Sequence, residues 1–312
     1  MLKENLYVHN ETLLLSSGNV SLQYIGNKNK PTLICLHGWL DNSATFYNLA
    51  NTLADDYLLL LIDLPGHGLS EPLPVGAHYY IWQYVEVLYE ILSCLELENV
   101  SLLGHSMGGI VASLFAGTFA DKVASLILLD SLGPMVSTAE QAPSQLAKAI
   151  QETVMQGSAL KEKFNKEKSS KENIKINSGL RVFASEYEAL LARKKSSTSV
   201  GMTDQALMPI VLRNLKKVGD GFSWSTDKRL RQTSKVRLTE EQLHAFYSSI
   251  TASVLVICAD KGIIPEAWKQ QRLEYLTQKQ FIQLPGHHHF HCEPEYVDDI
   301  AAQIKQFLQS SI

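Results

Sequence analysis

A serine set between glycines, Gly104-His105-Ser106-Met107-Gly108, stands where the apolar run Val100-Ser101-Leu102-Leu103 gives way to a helical pattern. At a sharp strand-to-helix turn, glycines let strand and helix approach closely while the serine hydroxyl is thrust outward, ready to act as a nucleophile. The following residues, Gly108-Gly109-Ile110-Val111-Ala112-Ser113, are small and then apolar, as a helix packed on a sheet requires. A five-residue pattern of this kind also arises by chance, so the reading rests on that setting. A serine hydroxyl needs a base to take its proton and donors to receive the developing oxyanion.

Three further stretches could supply them. His37-Gly38-Trp39-Leu40-Asp41-Asn42 follows the apolar run Thr32–Leu36, and a glycine there lets the chain turn so that the Trp39 N–H points at an oxyanion. Met107 N–H, at a helix N-terminus with a free donor and a favourable dipole, is the second candidate. His37 itself reads as a structural hydrogen-bonder. Asp63-Leu64-Pro65-Gly66-His67-Gly68-Leu69-Ser70 is another strand end, whose Asp63 and His67 are expected to stabilise the turn. The third stretch, Leu284 to Pro294, holds His287, His288, His289 and His291, any of which could be the base. A metal cluster is the rival use of these histidines, but a loop of consecutive residues points its side chains in different directions, so no metal is expected.

Positioning such groups requires a rigid scaffold, and short apolar runs alternate with helical patterns in the first and last thirds of the chain. Eight candidate strands follow: Leu13–Ser16 and Val20–Ile25 as an antiparallel entry hairpin, then Leu33–Leu36, Leu58–Ile62, Val100–Leu103, Leu126–Leu129, Val254–Ala259 and Phe281–Leu284 as a parallel part. Tyr80–Leu97 and the segment from Val297 to Leu308 carry apolar residues at helical spacing. From about Gly133 to Ala252 the strand rhythm stops. The expected organisation is a core of residues 1–133 and 253–312 with a helical cap inserted at 134–252.

Charge is segregated between these parts. Residues 137–250 carry 19 Lys and Arg against 12 Asp and Glu, the rest 9 against 20. The run from Lys161 to Glu172 has interleaved signs and reads as a solvated helix or connector. A sharper reading is a basic cap that attracts an anionic substrate or surface. Apolar cap residues such as Phe164, Phe183, Leu190, Met202, Phe222, Trp224 and Phe246 are read mostly as the cap's own core.

The 312 residues are 45% hydrophobic and 19% charged, with a formal net charge of −4 and an isoelectric point near 6.2. That balance offers nucleic acid and anionic membranes no overall attraction. No run approaches the roughly 20 apolar residues of a membrane span, and the N-terminus lacks an apolar signal core. A cytoplasmic protein, monomeric or homodimeric, is expected. Cys35 and Cys258 lie in strand-like runs as buried thiols, and the four cysteines lack metal-ligand spacing.

Taken together, the stretches 37–46, 63–70, 104–109 and 129–134, with Trp224–Leu230, Leu238–Gln242 and the histidine loop, resemble the alpha/beta-hydrolase superfamily, particularly its serine hydrolase-like subgroup. The resemblance implies an α/β fold with a mostly parallel eight-stranded sheet, helices on both faces and a helical cap. Set against the family's Gly-x-His-x-x-His-x-Glu run, the loop puts the base at His288, with His291 in support and Glu293 at its acidic end; His287 and His289 stay open. The family's acid usually follows the penultimate strand, but Ala259-Asp260-Lys261-Gly262-Ile263-Ile264-Pro265 has no carboxylate in that column. Two candidates remain: Asp130 at the end of the preceding strand, a place used by haloalkane dehalogenases, and Asp260, next to the vacant column. Asp130 is placed ahead.

The expected activity is hydrolysis of a small to medium carboxylic ester or thioester through an acyl-enzyme, with Ser106 as nucleophile, Trp39 and Met107 amides as oxyanion donors, and no cofactor. Serine at the elbow argues against dehalogenase or epoxide hydrolase chemistry, which needs a carboxylate nucleophile. Carbon–carbon bond hydrolysis is a narrower alternative, and a non-catalytic ligand-binding or signalling module is the rival from another class.

Overall fold

The computed structural model describes residues 2–169 and 181–310, with the backbone alone over 156–169. Its centre is an eight-stranded sheet built from β1 (Val8–Leu15), β2 (Gly18–Gly26), β3 (Thr32–Leu36), β4 (Leu58–Ile62), β5 (Val100–His105), β6 (Val123–Leu129), β9 (Ser253–Lys261) and β10 (Lys279–His287). The spatial order is β1-β2-β4-β3-β5-β6-β9-β10. β1 and β2 form an antiparallel hairpin, β2 meets β4 antiparallel, and every other neighbouring pair is parallel. Most strands extend the apolar runs by a few residues at their ends; Leu58–Ile62 coincides with its run, and β1 starts at Val8 and stops before Ser16, which lies in the turn.

Alternation along the strands divides the core in two. Ile34, Leu36, Leu60, Ile62, Leu102, Leu126, Leu128, Val254 and Val256 face one side, in one cluster with apolar residues of α2 (Ile81–Cys94), α3 (Met107–Thr118) and α7 (Glu240–Ser248). Their alternates Leu33, Cys35, Leu59, Leu61, Leu103, Ile127, Leu129, Leu255 and Ile257 face the other, against α1 (Tyr47–Leu53) and α9 (Val297–Ser310). This is the near-continuous apolar pattern of strands buried on both faces. After β3 the chain adds β4 on one side and β5 on the other, so a crevice opens at the carboxyl ends of β3 and β5, where open parallel sheets bind ligands.

Between β6 and β9 lie α4 (Ala142–Ser169), α5 (Glu186–Lys194), α6 (Asp204–Arg213), the antiparallel ribbon β7 (Leu215–Val218) and β8 (Gly221–Trp224), and α7; α8 (Glu266–Leu273) follows β9. Two features depart from an all-helical insertion at 134–252. The ribbon pairs residues 215–218 with 221–224 around a turn that includes Gly219 at φ +60°. The last helix, α7, buries Leu243 and Tyr247 in the α3 side of the main core, so this part of the insertion packs with residues 1–133. Four-residue strands and a nine-residue helix are too short for periodicity to distinguish.

The insertion has a small core of its own, with Phe183, Leu190, Met202, Leu207, Ile210 and Val211 buried together. Phe164 and the charged run from Lys161 onward lie outside the described side chains. The insertion is fastened to the sheet by polar contacts. Arg213, at the end of α6, donates from Nε to both oxygens of Asp63 at 3.2 and 2.9 Å, and from Nη2 to Ser21 Oγ at 3.2 Å. Asp63 is fully buried at the end of β4 and also receives Ser43 N and Leu69 N, so it shapes the turn as expected. Removing one partner of a buried ion pair strands the other charge, typically a loss of about 3–5 kcal/mol. Arg213→Ala should lose about that much in urea unfolding, whereas Arg213→Ala combined with Asp63→Asn should recover part of it; a single variant as stable as the parent would contradict this anchoring.

Candidate active site

Ser106 sits at the turn between β5 and α3 with φ 50° and ψ −117°, a left-handed conformation costly for a residue with a side chain. The turn is held by Ser106 N–H donating to Leu129 O at 3.1 Å and Ser131 Oγ–H donating to Ser106 O at 2.7 Å. The glycines beside it are required by space. A Cβ on Gly108 would lie 2.0 Å from Leu36 O in β3, and one on Gly104 would lie 2.5 Å from Gly108 O. Met107 is the first residue of α3, so its N–H has no partner within the helix.

Asp130, 2% exposed, follows β6. Its Oδ2 lies 2.6 Å from His288 Nδ1 and accepts Ile263 N at 3.1 Å, while Oδ1 accepts Ala259 N at 3.2 Å. These bonds leave His288 Nδ1 as the donor and fix the ring by one edge. Asp260 is exposed and turns the other way, its Oδ1 accepting Gly286 N at 2.8 Å. Ser106 and Asp130 share a cavity of about 320 Å³ with Leu132, Met135, Ile263 and Trp268. Trp39 and Met107 line a neighbouring cavity of about 430 Å³, and Met135 belongs to both. Ser106 and Asp130 thus line one cavity, Asp130 holds His288, Trp39 and Met107 line the neighbouring cavity, and Asp260 lines neither.

The other histidines have different partners. His37 donates from Nδ1 to Gly38 O at 2.7 Å and accepts Leu64 N on Nε2 at 3.0 Å, so both nitrogens are spent on the backbone. His289 donates from Nε2 to Asp41 Oδ2 at 3.0 Å, and His291 Nε2 lies 2.9 Å from Thr45 Oγ1. His105 donates from Nε2 to His288 O at 2.9 Å. His105, His288 and His289 come close enough that their ring nitrogens lie within 4.8 Å of one another. Each ring spends one nitrogen on the protein, His105 on His288 O, His288 on Asp130 and His289 on Asp41, while His105 Nδ1 is buried with no hydrogen-bond partner.

A network absent from the sequence reading supports this loop. Asp41, fully buried, accepts His289 on Oδ2 and Arg193 Nη2 of α5 on Oδ1 at 3.0 Å. Burial opposes its charge, but His289 and Arg193 outweigh it and hold the carboxyl well below its usual range. Glu293 accepts Thr203 N and Thr203 Oγ at 2.8 and 2.6 Å at the start of α6. Asp41 and Glu293 were visible within their motifs; nothing in spacing or composition marked Arg193 as the partner of Asp41 or Thr203 as that of Glu293.

Burial is the largest influence on five enclosed histidines, His37, His67, His105, His289 and His291, and lowers each from 6.5, His67 to about 3. In the unfolded chain they gain protons near pH 6.5; in the folded chain they resist. The unfolded state therefore binds more protons as pH falls, and each such histidine costs up to about 1.4 kcal/mol per pH unit. Stability should fall steeply from pH 7 to 5, ahead of carboxylate protonation. Urea unfolding at pH 8, 6 and 5 checks this, and equal midpoints would contradict it.

Residues 31–295 match the alpha/beta hydrolase fold family. The chain is 28% identical over 300 residues to a serine hydrolase-like protein of Danio rerio, covering 94% of this chain and 86% of that one. It is 29% identical over 309 residues to serine hydrolase-like protein 2 of Homo sapiens, covering 94% and 91%. A crystal structure of a hypothetical protein from Pseudomonas aeruginosa superimposes with a TM-score of 0.83 at 30% identity, covering 96% of this chain and 99% of that one. Among the described residues no helix is long and apolar enough to cross a membrane. With its sheet order, its elbow after β5 and these relatives, the chain belongs to the alpha/beta-hydrolase fold family, in the serine hydrolase-like subgroup.

Proposed function

We propose that this hydrolase cleaves carboxylic esters or thioesters through an acyl-enzyme formed on Ser106. The observation that carries this reading is the 2.6 Å pair of His288 Nδ1 and Asp130 Oδ2 in the crevice of the elbow serine. With Nδ1–H given to the buried carboxylate, Nε2 of His288 is the basic nitrogen. Ser106 Oγ attacks the carbonyl, His288 takes its proton and returns it to the leaving alcohol or thiol, and the Trp39 and Met107 amides receive the oxyanion. Water activated by the same imidazole then releases the acid. Asp130 stays ionised, orienting the ring and stabilising the imidazolium.

The cavities of about 320 and 430 Å³ are of a size for small to medium acyl and leaving groups, with the inserted segment acting as their cap. Met135, Ile263 and Trp268 beside Ser106 suit an apolar acyl chain.

A fluorophosphonate probe should label the wild-type protein and leave Ser106→Ala unlabelled; absence of label on wild type would remove the enzymatic reading and favour a ligand-binding module. On a panel of p-nitrophenyl esters, Asp130→Asn should lower kcat by about 10⁴, the order seen when an orienting acid is lost. Asp260→Asn should retain most activity, since its carboxylate holds only a loop amide. The reverse ranking would transfer the acid to Asp260.

A further inference from the structure

Beyond the crevice of Ser106, the insertion encloses a basic cavity of about 290 Å³ bordered by Leu40 and Trp224, with Arg181, Arg193, Lys228 and Arg231 in its wall. Arg193 is 7% exposed; its Nη2 serves Leu40 O and Asp41, while its buried Nε has no hydrogen-bond partner. Among the described residues, Arg181 and Arg231 have no carboxylate within ion-pair distance. The one carboxylate in the wall, Asp227, is already taken by Arg229 Nε at 2.9 Å and by Tyr79 Oη–H at 2.7 Å. Burial, then the neighbouring Arg193 charge, make the protonated form of Arg231 less favourable. Arg181, Lys228 and Arg231 reach the recess from its exposed rim, while Arg193, paired with Asp41, lies buried in its wall with Nε unspent, and a carboxylate or phosphate accepts the paired N–H groups of guanidinium with matching geometry.

Shared wall residues make this recess a neighbour of the cavities beside the serine. Arg231 also lines the cavity of Trp39 and Met107, and Met135 links that cavity to the one holding Ser106. Between them stands the Trp39-Leu40 loop, whose indole N–H donates to Leu230 O at 2.9 Å and whose Leu40 carbonyl receives Arg193. The middle space adjoins each of the other two, the one at Ser106 lined by Leu132, Met135, Ile263 and Trp268 and the one in the insertion by basic side chains. The excess of 19 basic over 12 acidic residues at 137–250 places the same sign of field around that end.

We propose that the basic cavity binds the anionic end, a carboxylate or phosphate group, of an elongated substrate whose ester or thioester carbonyl lies at Ser106. This substrate class rests on the hydrolytic reading above, while the anion site itself does not.

Two measurements separate the two. The first compares kcat/KM for p-nitrophenyl esters of equal chain length ending in methyl, carboxylate or phosphonate. Wild type should favour an anionic ending, the better of the two identifying the group. Arg231→Gln should lower the anionic-to-neutral ratio by about 10-fold or more, the order of one charged hydrogen bond, and added salt should lower it too. Both side chains are exposed, and Arg181→Gln serves as a second, independent variant of the same wall. Turnover of the neutral ester with an unchanged ratio in these variants would overturn the inference and leave the hydrolase reading intact. The second is calorimetry with glutarate and with inorganic phosphate on wild type and Arg231→Gln. Binding lost in the variant would uphold the anion site even if Ser106 proved unreactive, and absence of binding to wild type would overturn it.

Discussion

A carboxylate taken out of water must have its charge and lone pairs met by the protein. Four of them, Asp41, Asp63, Asp130 and Glu293, lie at the carboxyl edge of this sheet and its following loops, none more than 3% exposed. Much of the arrangement above the sheet follows from how each is satisfied. Asp63 takes Arg213, Asp41 takes Arg193 and His289, Glu293 takes the first turn of α6, and Asp130 takes His288 with two backbone amides. Three of these draw a partner from the insertion, so the same bonds that neutralise the sheet edge dock the segment above it. The fourth turns inward and orients a histidine.

Backbone strain is concentrated at the same edge. Leu40, Ser106 and Asp130 have φ of 62°, 50° and 43°, in loops after the adjacent strands β3, β5 and β6. Each such conformation costs on the order of 1–3 kcal/mol and persists only where neighbours over-determine it. Leu40 O is held by Arg193, Ser106 by Leu129 O and Ser131, and Asp130 N donates to Ile257 O at 2.8 Å. Strain and polar anchoring therefore belong to one network. Loosening the insertion from Asp41 would relax the loop that carries the Trp39 amide as well as the histidine loop.

The sheet was legible because its strands are apolar on both faces and bounded by glycine and proline turns, and the elbow because close strand-helix packing leaves room only for glycine. The charge excess of the insertion was also legible, though its gathering into one recess was not: Arg181, Arg193 and Arg231 are far apart in sequence and meet only through folding. The ribbon at 215–224 escaped notice because Leu215-Lys216-Lys217-Val218 has neither alternation nor β-branched enrichment over its first three residues. For α7, Leu243, Phe246, Tyr247 and Ile250 follow helical spacing, but a pattern tells that a face is buried without telling against what. His288 was picked out of the four histidines only through the family's spacing, since residues of one short loop are alike in composition and differ in where the backbone aims them, His289 and His291 into the interior and His287 and His288 less so.

The vacant column after β9 has a steric explanation. A Cβ on Gly262 would lie 2.2 Å from Asp130 Oδ1 and 2.7 Å from its Cγ, so any side chain at 262 occupies the space that the Asp130 carboxylate fills. The turn then gives that carboxylate the Ile263 amide at 3.1 Å, a bond that depends on the backbone lying this close. In this chain, therefore, a side chain at 262 and the Asp130 carboxylate would claim one volume. Glycine at 262 and aspartate at 130 make one feature: the absence of a carboxylate in the usual place is the space that the other one needs.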